Sequence, residues 1–97
     1  MTNEIKIIAQ LTINDMYYDE VLDELRHLAK LSKLEAGNIS YQLHKDIYTK
    51  DSIILIEHWK SMEAFEKHKE TDHFKSYQNN TKNMILNDKI NILKNIN

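Results

Sequence analysis

The sequence predicts an α+β domain of the ferredoxin-like class, with a split βαβ element order β-α-β-β-α-β and an antiparallel sheet. Three observations carry this prediction. Four segments alternate apolar and polar residues or are continuously apolar, as strands are. The segments between them place apolar residues at helical spacing behind residues suited to cap a helix. The length of 97 residues fits one domain, expected to span residues 1–97.

The first strand and the first helix have the clearest patterns. Residues 4–13 alternate, and one face carries Ile5, Ile7, Ala9, Leu11 and Ile13. Asn14 and Asp15 supply N-cap chemistry for a helix over residues 16–34. The apolar stripe of that helix consists of Val21, Leu22, Leu25, Leu28 and Ala29. Gly37, the single glycine, is expected to end the helix or to turn the chain after it.

The second half of the chain supplies the other three strands and the second helical region. The strands are predicted over residues 38–47, 52–59 and 89–96. Ser61 is a good N-cap for the helix that follows the third strand. Thr71 and Asp72 interrupt this helix and can cap a further one, which carries Phe74, Tyr77, Thr81 and Met84.

The third strand carries a continuous apolar run that bears on oligomeric state. Residues 53–56 read Ile-Ile-Leu-Ile, and Ile7 and Ile8 form a shorter run of the same kind. Strands of this composition need both faces covered, whereas helices can cover only one face of a four-stranded sheet. We therefore expect a homodimer in which the other sheet face packs against a second copy.

Composition excludes several classes of function. The net charge is −2 and the lysines are scattered among acidic residues, so nucleic acid is not an expected partner. The chain has no cysteine, which excludes disulfides, thiolate catalysis and iron–sulfur clusters. The first residues contain no basic segment followed by an apolar run, so we expect no secretory signal. No apolar segment is long enough to span a membrane. We expect a cytoplasmic protein without a membrane partner.

Two histidines, His68 and His73, are the strongest candidates for chemistry. His68 follows Ala64 and Phe65 by four and three residues and therefore shares their apolar helix face. His73 lies just past the interruption of the helix. An imidazole in such surroundings can accept a proton near neutral pH. The alternative for each is a histidine that is hydrogen-bonded within the core.

Glu57 and Trp59 lie two residues apart on one strand face. In a functional interpretation the carboxylate orients a base and the indole forms a wall for a planar substrate. In a structural interpretation Trp59 anchors the core and Glu57 bonds to the backbone.

Two histidines and a carboxylate could also hold iron, but the spacing of His68 and His73 is unlike the i, i+4 pair of a helical zinc site. We predict no metal.

Residues 51–77 resemble the antibiotic biosynthesis monooxygenase family. The matching residues in this stretch are Glu57, Trp59, Ser61, Ala64, Phe65, His68, His73, Phe74 and Tyr77. Upstream, Glu35-Ala36-Gly37 matches the family's Glu-x-Gly turn, and Tyr41 matches the tyrosine that follows it. Within the family, the likeness is greatest to the bacterial quinol monooxygenase type.

The resemblance implies a homodimeric α/β barrel in which each subunit holds a pocket between its helices and its sheet. It also implies oxidation of a small quinol- or phenol-type aromatic by O₂ with no metal, flavin or other cofactor. The catalytic residues would be His68, His73 and Glu57. The residues that bind the aromatic substrate would be Tyr41, Trp59, Phe65, Phe74 and Tyr77.

Other branches of the same fold provide alternatives. Haem degradation is disfavoured because Leu11, His68 and Gln78 stand where that branch uses Asn, Trp and His. An isomerase of a small phosphorylated metabolite needs a phosphate anchor, which Lys69 or Lys75 could supply. A non-catalytic dimeric module that binds a small ligand is the third alternative.

Overall fold

Within residues 2–97, which the computed structural model describes, one four-stranded antiparallel sheet packs against a layer of three α-helices. The strands are β1 (Ile5–Ile13), β2 (Asn38–His44), β3 (Ser52–Trp59) and β4 (Ile85–Leu93). The helices are α1 (Tyr18–Ser32), α2 (Met62–Lys69) and α3 (Asp72–Asn80), with a short 3₁₀ turn at Asp15–Tyr17. The ferredoxin-like α+β prediction is therefore confirmed, with the second helical region divided in two.

The strands lie in the order β2-β3-β1-β4, so β1 and β3 are central and β2 and β4 are the edges. Ile7 lies opposite Glu57 of β3 on one side and Ile92 of β4 on the other. We call the face that carries these residues the inner face. Its β1 residues are all buried beneath the helices, as the alternation predicts: Ile5, Ile7, Ala9, Leu11 and Ile13. The α1 stripe supplies Val21, Leu25, Leu28 and Ala29 to the same core.

The opposite side, here called the outer face, is turned away from the helices. Ile53 and Leu55 point inward and are 2% and 5% exposed, whereas Ile54 and Ile56 point outward and are only half-buried. Ile8 lies directly opposite Ile56 and joins them. The helices thus cover only one face of the sheet. The expectation of a dimer depends on this uncovered outer face.

The last strand differs from its prediction. β4 begins at Ile85 and ends at Leu93, whereas the sequence pattern placed it over residues 89–96. Helix α3 ends at Asn80, and the N–H of Thr81 donates to the carbonyl of Tyr77. Asn83 then has a φ of 69°, in the left-handed region, and turns the chain into the strand. The apolar spacing that suggested a longer helix therefore spans a helix end and a turn.

Two smaller boundaries also move. The Asp46 carboxylate accepts the Tyr48 backbone N–H at 2.9 Å and holds a turn, so β2 ends at His44 instead of at residue 47. Asn14 accepts the backbone N–H of Met16 at 3.1 Å and caps the 3₁₀ turn that leads into α1. The caps predicted at Ser61 and Thr71 are confirmed by bonds to residues three positions on.

Gly37 lies in the turn after the helix, as one of the two predicted alternatives has it, because the N–H of Asn38 donates to the carbonyl of Glu35 at 3.0 Å. Helix α1 ends at Ser32, five residues earlier, and Gly37 does not have a positive φ. A Cβ at Gly37 would instead overlap the Cβ of Ala64 in α2. The carbonyl of Gly37 also accepts the backbone N–H of Lys60 at 2.9 Å. Glycine is needed here because the start of β2 passes in direct contact with α2.

No helix in the described part of the chain is long and apolar enough to cross a membrane.

Candidate functional site

A cavity of about 480 Å³ lies between the helices and the inner face of the sheet. Its floor is apolar and comes mainly from Ile7, Ala9, Leu11 and Leu55. Phe65 of α2 and Phe74 and Tyr77 of α3 line the helix side, and β4 contributes residues 85–88 and 90. The volume and the mixture of many apolar with few polar groups are typical of small-molecule sites.

His68 lines this wall and is buried, with 1% of its surface exposed. Its Nδ1 lies 2.7 Å from Oε2 of Glu35, and its Nε2 has no hydrogen-bond partner. Because a carboxylate oxygen can only accept, Nδ1 carries the proton and Nε2 of the neutral ring carries the lone pair. Burial lowers the pKa of His68 below its ordinary value of 6.5, although Glu35 opposes this shift. His68 is therefore a neutral imidazole whose one available nitrogen is a proton acceptor.

His73 contacts the same carboxylate from the other side. Its Nε2 lies 2.8 Å from Oε2 of Glu35, and its ring centroid is 6.1 Å from that of His68. The sequence prediction that the two imidazoles lie together is thus confirmed. The two do not have equal access to the cavity, however, because only His68 lines it. His73 is positioned to hold Glu35 in place.

Glu57 is also buried and lines the cavity, but it does not touch either imidazole. Its Oε1 accepts the indole N–H of Trp59 at 2.9 Å. The pKa of Glu57 is raised from 4.5 to about 7: burial raises it most, the hydrogen bond from Trp59 opposes this, and the carboxylates of Glu35 and Asp88 add smaller increases. Glu57 therefore does not hold either imidazole, because Glu35 does, and a catalytic role for Glu57 stays a prediction.

The aromatic residues divide into two groups. Tyr41, Phe65, Phe74 and Tyr77 line the cavity as expected for residues that contact a planar ligand. Trp59 does not line it. The indole of Trp59 is fully buried, and its ring centroid lies 4.7 Å from that of His68, so it packs against the imidazole. Its N–H donates to Glu57 and holds that carboxyl group in place. The interpretation of Trp59 as a substrate wall is wrong, and its interpretation as a core anchor is correct.

Sequence reasoning missed two residues of the site. Glu35 was noted only as part of a turn that matches a family pattern, and it lies 33 residues from His68 in the chain. Asp88 lines the cavity from β4 but was placed outside the predicted strand. The one sequence signal for Glu35 was its place beside the single glycine, in the loop between α1 and β2.

A carboxylate oxygen of Glu35 and one ring nitrogen each of His68 and His73 lie within 4.8 Å of one another. Such a group of three atoms could hold a metal ion. The separations of 2.7 and 2.8 Å to the shared oxygen are hydrogen-bond lengths, with a proton on each nitrogen. A metal would need lone pairs at those same nitrogens. We therefore interpret the cluster as a hydrogen-bonded dyad with a supporting histidine, and the sequence prediction of no metal stays a prediction.

The fold and the cavity together define a ferredoxin-like domain with a cavity between its helices and its sheet. A family model described as antibiotic biosynthesis monooxygenase matches residues 4–80. The chain belongs to the antibiotic biosynthesis monooxygenase family, as the motif resemblance implied.

Individual relatives support the same assignment. YcnE of Bacillus subtilis (strain 168), provisionally named a monooxygenase, is 32% identical over 59 residues, which is 61% of this chain and 62% of that protein. The structure of PA3566 from Pseudomonas aeruginosa superposes with a TM-score of 0.93 at 30% identity and covers 100% of this chain and 98% of its own. A protein of Nitrosomonas europaea, provisionally named an antibiotic biosynthesis monooxygenase, gives a TM-score of 0.93 at 16% identity over 99% of this chain and 93% of its own. This last likeness bears on the fold alone.

Proposed function

We propose that the protein inserts one oxygen atom of O₂ into a small quinol or related phenol without a cofactor. The observation that carries this proposal is His68, a buried neutral imidazole of the cavity wall whose Nδ1 is held by Glu35 and whose Nε2 has no hydrogen-bond partner. This is the arrangement by which a carboxylate fixes the tautomer of a general base.

The first step is removal of a phenolic proton by Nε2 of His68. The ring becomes an imidazolium, which the carboxylate of Glu35 stabilises through the Nδ1 hydrogen bond. The phenolate is a much stronger reductant than the phenol, so it can transfer an electron to O₂ directly. The role of the protein is to form this anion in a largely apolar cavity and to hold it there.

The redox balance requires no reductant other than the substrate. Superoxide and the substrate radical combine to form a C–O bond at a ring carbon next to the phenolate, and the imidazolium returns its proton to the distal peroxide oxygen. Loss of the C–H proton then forms a carbonyl, breaks the O–O bond and releases water. Hydroquinone and O₂ thereby give hydroxybenzoquinone and water, with one oxygen atom in each product and all four electrons supplied by the ring.

Glu57 is the second polar group available to the substrate. With a pKa of about 7, its carboxyl is largely protonated in mildly acidic solution and can donate to a second substrate oxygen. Trp59 holds the other carboxyl oxygen, so the group is fixed in orientation. Phe65, Phe74 and Tyr77 are the aromatic side chains that would contact the ring of the substrate.

A phosphorylated substrate receives no support from the charges at the site. Lys69 lines the cavity, but its ammonium lies 3.0 Å from the Glu66 carboxylate. Lys75 does not line the cavity, and it lies 3.5 Å from Glu70. Neither residue offers an uncompensated cation to a phosphate, so the monooxygenase is preferred to the isomerase.

We also propose that two copies associate through the outer face, where Ile8, Ile54 and Ile56 form the apolar centre. A stable interface of this kind buries on the order of 1,500 Å² in total. The cytoplasm remains the location predicted from the sequence.

The test of the activity is oxygen uptake with a panel of hydroquinones and phenols, with and without chelator. In ¹⁸O₂, we expect one labelled oxygen atom in the organic product and one in water. His68→Gln should reduce the rate about 100-fold to 10,000-fold, the usual contribution of a general base. The matched control is His27→Gln, an exposed histidine on α1 that does not line the cavity.

Equal rates for wild type and His68→Gln would contradict the assignment of the base. No uptake above background across the panel would contradict the monooxygenase proposal and favour a ligand-binding module. Inhibition by chelator would show that a metal takes part and would return the Glu35, His68 and His73 cluster to consideration.

A further inference from the structure

We propose that the cavity selects phenols that carry an ammonium group, and that Asp88 is the residue that binds this cation. The inference rests on the proposed function, because it places the phenolic end of the molecule at His68. It goes beyond that function by naming a substrate class and a specificity-determining residue.

The charges that line the cavity are the first argument. Two carboxyl groups, Glu57 and Asp88, face it, whereas its one ammonium belongs to Lys69. Lys69 is already neutralised by Glu66 at 3.0 Å and lies over the ring of Phe65 at 5.0 Å. The lining thus has an excess of acid, which disfavours anionic ligands and favours cations or strong hydrogen-bond donors.

The position of Asp88 is the second argument. Asp88 lies opposite Leu11 in the β1–β4 register, which places it on the inner face of the sheet, the side of the cavity. It is exposed, and it forms no ion pair with any residue of the described chain (2–97). The Asp88 charge is also felt inside the cavity, where it raises the pKa of Glu57 and Tyr77. Asp88 is therefore an uncompensated carboxylate at the solvent-accessible edge of the site.

The third argument does not depend on charge. It concerns the position at which the phenolic end of the ligand would bind. Nε2 of His68 is a buried acceptor without a partner on the same cavity. A ligand that places a hydroxyl at His68 and a cation at Asp88 satisfies both ends, with its ring against Phe74 and Tyr77. The aromatic faces add favourable cation–π attraction to an ammonium near the rim.

The reaction itself favours the same class. Transfer of the phenolic proton to His68 leaves a phenolate in a cavity whose lining already contains two carboxyl groups. A fixed ammonium on the substrate offsets that charge, whereas a neutral phenol does not.

The experiment compares three probes of similar shape and different charge: tyramine (cationic), 4-ethylphenol (neutral) and 3-(4-hydroxyphenyl)propionate (anionic). Binding to the full chain is measured by calorimetry without oxygen, so the result does not depend on turnover. Oxygen uptake with the same probes is measured separately. The variants are Asp88→Asn and, as a matched control, Asp19→Asn, an exposed aspartate on α1.

We expect wild type to bind tyramine on the order of tenfold more tightly than 4-ethylphenol, and the anion least tightly, as one partly desolvated ion pair provides. Asp88→Asn should remove this preference, so that the ratio of the tyramine affinity to the 4-ethylphenol affinity falls to about one. Asp19→Asn should bind all three probes as wild type does.

Equal affinity of wild type for tyramine and 4-ethylphenol would overturn the inference, and oxidation of either would leave the proposed function standing. An equal loss of tyramine affinity in both variants would overturn the assignment to Asp88. Preferred tyramine binding without oxygen uptake from any phenol would support the cation site and contradict the monooxygenase. Absence of binding by all three probes would overturn the inference, and the hydroquinone panel would still decide the proposed function.

Discussion

Glu57→Gln is expected to stabilise the protein at alkaline pH and to leave its stability nearly unchanged at acidic pH. The Glu57 carboxyl is buried, and its pKa rises from 4.5 to about 7. A carboxyl whose pKa is raised by folding does not oppose folding below its ordinary pKa, and it destabilises the fold increasingly from that value up to the folded-state pKa, above which the destabilisation is constant. Glutamine has the same shape without the charge, and its oxygen can still accept the Trp59 N–H.

The size of the effect follows from the two pKa values. A change from 4.5 to about 7 corresponds to roughly 3 kcal/mol, at about 1.36 kcal/mol for each pH unit. The difference in free energy of unfolding between Glu57→Gln and wild type should therefore increase by roughly 3 kcal/mol between pH 4.5 and pH 8. The other titrating groups contribute to both proteins and largely cancel in this difference.

Urea denaturation at fixed protein concentration, at several pH values across this interval, measures the effect. Glu20→Gln, on the exposed surface of α1, is the control and should show a difference that does not depend on pH. A pH-independent difference for Glu57→Gln, or one that decreases toward pH 8, would refute the assignment of a buried, largely protonated carboxyl.

Three further predictions concern the rate, the dimer and the loop at Gly37. The kcat/KM of wild type should rise with pH through the pKa of His68, which is lowered below 6.5, because only the neutral ring accepts a proton. It should fall again near pH 7, where Glu57 ionises. A profile that is flat from pH 5 to 8 would contradict both roles. Ile56→Lys places a charge at the centre of the outer face and should give a folded monomer by light scattering, whereas an unchanged dimer mass would exclude this interface. Gly37→Ala should lower the free energy of unfolding by roughly 1–3 kcal/mol, because the added methyl group overlaps Ala64. Gly37→Ala with Ala64→Gly should recover part of that loss in the same urea assay.

The sequence predicted the parts of the fold that depend on local periodicity. The alternation in β1 and the apolar run in β3 fixed both central strands to within a residue. β4 was misplaced because its first half, Ile85–Asp88, follows a helix end and a short turn and has only two apolar residues. Where periodicity is short and mixed, the register with the neighbouring strand decides the boundary, and that information is not local.

The site was predicted in part for the same reason. His68 was found because its helix face is apolar over one turn. Glu35 was not identified as its partner because a loop carboxylate gives no periodic signal, and the contact joins segments 33 residues apart. Trp59 was assigned to the wall of the cavity because a pattern shows which face a side chain occupies but not how deep it lies.

The contact between Gly37 and Ala64 has a consequence for how this site can vary among related sequences. Glu35 precedes the glycine by two residues, and His68 follows the alanine by one helical turn, so the two small residues set the separation between carboxylate and imidazole. Enlarging either residue would force the loop away from the helix and lengthen the 2.7 Å hydrogen bond on which the base depends. Positions 37 and 64 should therefore vary together, with a gain in volume at one matched by a loss at the other, in every lineage that retains the Glu35–His68 pair.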